Sequence, residues 1–223
     1  MTKLGVITIG QAPRKDVAPI LREHLPERVE MIQAGVLDGL SKEYIAANLC
    51  PEDRDYTLTS RLTTGKSVIM GRSKIQPILQ QKIYDMENQG VANILLLCTG
   101  VFPGLATRTA YLIEPDHIIP PAVKAMVGNR RLGVIVPLEE QKETMNSKYE
   151  PYGLYPVYGV ASPYIFDPGD FQAAAAGLKG KADILLLDCM GYTEEARRLM
   201  AEASGLPVIL SNAIMAKIVS EMI

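Results

Sequence analysis

The chain repeats itself. Residues 3–9, KLGVITI, return as RLGVIVP at 131–137, an offset of 128 residues from Leu4 to Leu132. Residues 90–100, GVANILLLCTG, return as GKADILLLDCMG at 180–191, with one extra residue just before the second cysteine. Two separated matches in the same order indicate a duplicated unit, so whatever one half forms the other must form again. Leu4 to Cys98 spans 94 residues and Leu132 to Cys189 spans 57, which leaves the first half about 37 residues longer (94 minus 57). The surplus is expected between Gly35 and Gly71, where Asp, Ser, Pro and Glu interrupt the pattern.

Short apolar runs at 4–9, 94–98, 132–136, 183–188 and 206–210 are bounded by turn residues and do not alternate, as buried parallel strands do not. Between them lie helical signals. Ser73 with Gln76 reads as a capping box ahead of the stripe Ile75, Ile78, Leu79, Ile83 and Met86. Asp167-Pro168 supplies an N-cap and a proline for a helix through Leu178, closed by Gly180. Thr193 caps a helix with Glu194 and Glu195 in its first turn, and Ser211 or Asn212 starts the last one. Strand alternating with helix predicts an α/β fold. The expected architecture is two similar Rossmann-like, flavodoxin-like parallel-sheet lobes related by pseudo-two-fold symmetry with a cleft between them. The boundary is expected near Pro120-Pro121, giving a first lobe over 1–120, completed by a C-terminal helix over 211–223, and a second over 121–210.

Composition narrows the function classes. With a formal charge of −2 and no run of Lys and Arg, the chain lacks the basic footprint of a nucleic-acid or anionic-membrane binder. No apolar stretch approaches a membrane span, and the run from Leu4 to Ile9 is too short for a signal-peptide core, so a cytoplasmic location is expected. Three cysteines in a chain of 223 residues suit free thiols in a reducing compartment. Two histidines and no paired Cys-x-x-Cys spacing give no zinc ligand set, and no dinucleotide or phosphate-loop glycine fingerprint occurs, so neither a zinc site nor nucleotide binding is expected.

Two of the three cysteines fall at the same place in the two repeats, as Cys98-Thr99-Gly100 and Cys189-Met190-Gly191. Ligands of open α/β sheets bind beyond the carboxyl ends of the strands, where both thiols are expected. A thiol between a strand and a following helix meets unpaired N–H groups that favour the thiolate. Gly100 and Gly191 allow close backbone approach, and the amides there with Thr99 and Thr193 suit an anion. The loops after the first strand of each half add Gln11 and Glu139, equivalent at the 128 offset, as hydrogen-bonding candidates or simple caps. Arg108 is a candidate partner for a carboxylate or a solvated surface residue, and Tyr192 a cleft residue or a packing one. A free cysteine ending a buried strand also serves as a small hydrophobe.

The blocks TIGQAPRKDV (8–17), TRTAYLIEPDHIIPP (107–121), LGVIVPLEEQ (132–141), LLLDCMGY (185–192) and PVILSNAI (207–214) together resemble the AroM family over essentially the whole chain. The resemblance implies the fold of the aspartate/glutamate/hydantoin racemase superfamily. There, two cysteines on opposite sides of a cleft exchange a proton next to a carboxylate or carbonyl without a cofactor; the matching positions are Cys98 and Cys189. Cys98 is followed by Thr-Gly rather than Asn-Thr, and Cys189 by Met-Gly rather than Thr, which is closer to the hydantoin-racemase branch. In relatives that are decarboxylases or cis-trans isomerases, one cysteine can suffice.

Three readings result. The first is a racemase or isomerase with Cys98 and Cys189 as an acid/base pair acting on a small carboxylate or cyclic amide. The second is a decarboxylase or cis-trans isomerase using one thiol, Cys189. The third is a non-catalytic protein that binds a small anion or regulates. Self-association into a homo-oligomer is expected by analogy of fold.

Overall fold

The computed structural model describes residues 2–223. The chain forms two compact units, one running up to Pro115 and joined by Ala216–Ile223, the other Asp116–Met215.

In the first unit, β1 (Thr2–Thr8), β2 (Val29–Gly35), β5 (Asn93–Leu97) and β6 (Tyr111–Ile113) form a parallel sheet in the order β2-β1-β5-β6. The central strands β1 and β5 are buried, as their unbroken apolar runs require. The interrupted stretch folds as α2 (Lys42–Asn48) and the antiparallel hairpin of β3 (Thr57–Arg61) and β4 (Ser67–Gly71). Helices α1 (Ala18–His24) and α3 (Arg72–Asn88) complete this part; of the predicted stripe of α3, Ile75, Leu79, Ile83 and Met86 are buried and Ile78 is half-buried.

The start of α3 departs from the sequence expectation. Its N-cap is Gly71, and Ser73 is not a cap. Ser73 Oγ instead donates to Asp55 at 2.7 Å, and Asp55 also accepts the Ser73 N–H, so an aspartate from the preceding loop replaces the capping box.

In the second unit, β7 (Leu132–Val136), β8 (Val157–Val160), β9 (Ile184–Leu187) and β10 (Val208–Leu210) form a parallel sheet in the order β10-β9-β7-β8. Taken by place in each half, β8-β7-β9-β10 repeats β2-β1-β5-β6, the doubly wound order of flavodoxin-like sheets. Its helices are α5 (Lys142–Tyr149), α6 (Pro168–Leu178) and α7 (Glu194–Ser204), with α4 (Pro115–Val127) and α8 (Ser211–Ser220) at its ends. Asp167 caps α6 through the Gly169 N–H and Thr193 caps α7 through the Ala196 N–H, as read from the sequence.

The glycine shared by the two Leu-Gly-Val repeats has one reason in both units. A Cβ on Gly5 would come within 2.5 Å of Met86 Sδ, and one on Gly133 within 2.6 Å of Leu185 Cδ2. Each glycine leaves room for a side chain beside its central strand, Met86 from α3 at Gly5 and Leu185 from the neighbouring strand β9 at Gly133.

The strand register corrects the alignment of the repeats. Ile7 pairs with Leu96, and Ile135, its equivalent, pairs with Leu187. Leu96 and Leu187 each stand two residues before a cysteine, so Cys98 and Cys189 are equivalent without an inserted residue, and Leu97 corresponds to Asp188. Matching the two Ile-Leu-Leu-Leu runs letter by letter slips the register by one, which would turn every side chain to the opposite face. Among the described residues, no helix is long and apolar enough to cross a membrane.

Candidate functional site

Cys98 follows the last residue of β5, beside the end of β1, where Thr8 pairs with Leu97. Its Sγ accepts the Gly100 N–H at 3.3 Å. The side chain is 8% exposed and belongs to an apolar cluster with Leu58 and Phe102, Leu58 being supplied by the hairpin of the first unit. The expected helix does not follow this turn: the chain runs through an irregular loop to β6, and α4 starts only at Pro115. The turn's own glycine amide donates to the sulfur.

Cys189 stands at the same place in the second unit and accepts the Gly191 N–H at 3.4 Å. It is half-buried, and the Tyr164 hydroxyl lies 3.4 Å from its sulfur. A Cβ on Gly191 would lie 2.5 Å from the Tyr164 ring, so the glycine makes room for the tyrosine that reaches the thiol. In the Tyr164–Cys189 contact either the hydroxyl or the thiol can donate.

The Cys189 turn is held from below by buried polar groups. Asp188 accepts from Lys148 Nζ at 2.6 Å and the Tyr149 hydroxyl at 2.8 Å, with both side chains of the ion pair at most 1% exposed. Ser211 Oγ donates to the Leu187 carbonyl, and Asn212 Nδ2 donates to the Met190 and Tyr192 carbonyls, bracing the turn from the start of α8. A charged residue at the end of an apolar strand was a readable signal for Asp188. Tyr164, Lys148 and Tyr149 come from distant segments and carry no local one.

The other sequence candidates divide. Gly100, Thr99 and Gly191 are buried within the two cysteine turns. Thr193 is the cap of α7, its Oγ1 engaged by the Ala196 N–H. Tyr192 is fully buried and donates its hydroxyl to the Ala161 carbonyl at 2.7 Å. Burial first, then the charges of Cys189 and Asp188, hold its pKa well above the usual tyrosine value, so it remains a phenol that packs the turn. Gln11 is used internally: its Nε2 donates to the Leu37 and Leu40 carbonyls and its Oε1 accepts from Thr63 N and Oγ1. Glu139 is exposed and paired with Lys142 at 2.6 Å.

Arg108 requires a correction. Tyr111, where β6 begins, pairs with Asn93, where β5 begins, so the residues just before it lie at the amino edge of the sheet. Cys98 is at the carboxyl edge. The Arg108 guanidinium stacks over Tyr84 at 4.3 Å and its N–H donates to Glu87, so it anchors a loop at the end of the sheet away from the thiol.

The side chains of Glu114, Asp116 and His117, from one short stretch, bring ligand-type atoms within 4.8 Å of one another and could hold a cation. Burial raises the Asp116 pKa, which opposes full charge there. None of the sequence-assigned site residues is among them.

Solved structures share this fold. An aspartate racemase from Picrophilus torridus is 12% identical, with a TM-score of 0.66 over 100% of this chain and 94% of that one. An allantoin racemase from Klebsiella pneumoniae is 12% identical, with a TM-score of 0.64 over 100% and 87%. The maleate isomerase Iso from Pseudomonas putida S16 is 12% identical, with a TM-score of 0.62 over 96% and 90%. At such identities the likeness is one of fold. No curated protein matches the sequence. The family model described as AroM protein matches residues 4–223, essentially the whole chain, and the protein belongs to the AroM family.

Proposed function

We propose that this protein is a cofactor-independent racemase or isomerase that moves a proton at a carbon next to a carboxylate or amide carbonyl of a small molecule, using Cys98 and Cys189. One cysteine, as thiolate, takes the proton and leaves the electron pair delocalised as an enolate. The other, as thiol, returns a proton from the opposite face and becomes the thiolate, so that neither oxidant nor external acid is consumed. The observation that carries the reading is the equivalence of the two Cys-x-Gly turns, each with the glycine N–H on its own cysteine sulfur at the carboxyl end of a central strand, where ligands of such sheets bind. The racemases and the isomerase that share the fold support the reaction class.

The test begins with a thermal-shift screen of small carboxylates and cyclic amides, since a ligand at 100 times its Kd adds roughly 2.7 kcal/mol. Turnover of a hit is then measured in Cys98→Ser and Cys189→Ser. Each substitution is expected to cost about 10²–10⁴-fold with the fold intact. Full activity in either variant rules out the two-base mechanism.

The contrast between the thiols favours one alternative. Cys98 is enclosed by apolar side chains, whereas Cys189 is more exposed and beside the Tyr164 hydroxyl. A single-thiol isomerase or decarboxylase would work through Cys189 alone, and sensitivity confined to Cys189→Ser identifies it.

A further inference from the structure

The surplus residues of the first half do more than add Leu58 to the apolar cluster that includes Cys98. Between the β1–α1 loop and the β3–β4 turn lies a hollow of about 310 Å³, a size that suits a small molecule. Its wall carries three cationic side chains, Arg14, Lys15 and Arg61, against one carboxylate, Asp16. Cys98 and its turn are not part of that wall.

The hollow is firmly built. The Gln11 N–H donates to the Arg61 carbonyl at 3.1 Å, and a side chain on Gly10 would collide with that carbonyl, so the hairpin rests on bare backbone. The Gln11 side chain then ties the loop to Thr63 on one side and to Leu37 and Leu40 on the other.

Arg14 has a side chain only 4% exposed, an unusual burial for a guanidinium. It is held by both Asp16 oxygens at 2.8 Å and donates to Thr8 Oγ1 at 3.2 Å. Burial alone would raise the Asp16 pKa, but the Arg14 hydrogen bond and charge, with Arg61 adding to them, bring it below the usual carboxylate value. Asp16 is thus ionised at neutral pH and fixes Arg14 in place, while Arg61, 3.8 Å from Asp16, and the exposed Lys15 bring further positive charge to the wall. The equivalent loop of the second unit forms only a short 3-10 turn with the exposed Glu139–Lys142 pair, so the feature of the first unit combines its β1–α1 loop with the inserted hairpin.

We propose that this hollow is an accessory site for a small anion, a carboxylate or a phosphate, separate from the cysteine turns. Arg14 keeps its Nε and Nη2 on Asp16 and its Nη1 on Thr8 Oγ1 and so holds the wall in place, while the planar guanidinium of Arg61 and the ammonium of Lys15 supply the donors for either oxyanion. The inference does not depend on the proton-transfer reading, because binding here requires no turnover.

Isothermal titration of the full chain with succinate and with inorganic phosphate tests it. Saturable binding of at least one probe is expected, weakened tenfold or more by Arg61→Gln and by Lys15→Gln, and unchanged in Cys98→Ser and Cys189→Ser. Lys15 is exposed, so its substitution keeps the test clear of folding effects. Tighter succinate binding points to a carboxylate metabolite and tighter phosphate binding to a phosphorylated one; both support the site. Absence of saturable binding by both probes overturns it. So does a loss in the cysteine variants equal to that in Arg61→Gln, which would place the anion at the thiols.

Discussion

Asp188 and Leu97 occupy equivalent positions, one before each cysteine, yet one is an ion-paired carboxylate and the other an aliphatic side chain. The fold therefore accepts an apolar residue there, and the Lys148–Asp188 pair is not needed to close the strand. Removing one partner is another matter. Lys148→Met removes the ammonium 2.6 Å from the buried Asp188, which keeps the Tyr149 and Ser211 hydroxyls, and is expected to cost about 3–5 kcal/mol, whereas Lys148→Met with Asp188→Leu should recover most of that loss. Urea denaturation of the two variants decides it, and a double variant no more stable than the single one refutes this account. The two site glycines make a parallel comparison. A Cβ at Gly191 meets the Tyr164 ring at 2.5 Å, and its Cζ and Oη at 2.8 Å, while one at Gly100 meets the free end of Leu58 at 2.7 Å. A leucine methyl can yield where a ring seated on a thiol cannot. Gly191→Ala should cost about 1–3 kcal/mol and reduce activity, and Gly100→Ala should cost less, as read from paired denaturation midpoints.

Among the elements, Arg131 and Asp183 join the starts of β7 and β9: the Arg131 backbone N–H and guanidinium donate to Asp183, and the Asp183 N–H donates to the Arg131 carbonyl. Hydrogen bonds from the Arg131 side chain and backbone bring the Asp183 pKa down to about 2 from 3.8. A depressed folded-state pKa stabilises the native state in full above the unfolded value, and that contribution disappears as pH falls through about 2. Asp183→Asn should thus be less stable than the parent at neutral pH, and the gap should close between pH 3.8 and about 2 in denaturation followed against pH. A gap that persists at the acid end contradicts the pairing. The central strands of both sheets were legible because burial on two faces leaves an unbroken apolar run. Strands β2, β6 and β8 were not: β2 is half-exposed along its length, β6 has three residues, and β8 is mostly half-buried. The hairpin was legible only as surplus length. The matching cysteine turns could be read because Cys-x-Gly closes the same apolar run in each half, whereas Tyr164 and Lys148 reach Cys189 and Asp188 from 25 and 40 residues away, a proximity no local pattern encodes.

For the molecule as a whole, the last helix sets which parts are stabilised together. Helix α8 begins at Ser211 in the second unit, where Asn212 braces the Cys189 turn, and from Ala216 onward the chain belongs to the first unit. Ala216 and Val219 are fully buried, so deleting Ala216–Ile223 should remove about 2–3 kcal/mol of apolar burial from the first unit and leave the bracing residues of the second in place. Hydrogen exchange should show amides of β1, β2 and β5 losing protection while those of β7 and β9 keep it. The thiols provide an independent reading, one in each unit. Cys98, at 8% exposure, is limited in its alkylation rate by opening of the surrounding core, and should react faster in the truncated chain. Cys189 is already partly accessible and should react at its original rate. Equal acceleration at both sulfurs would mean that the two units unfold as one, and that the thiols cannot be tuned separately by the elements around each of them.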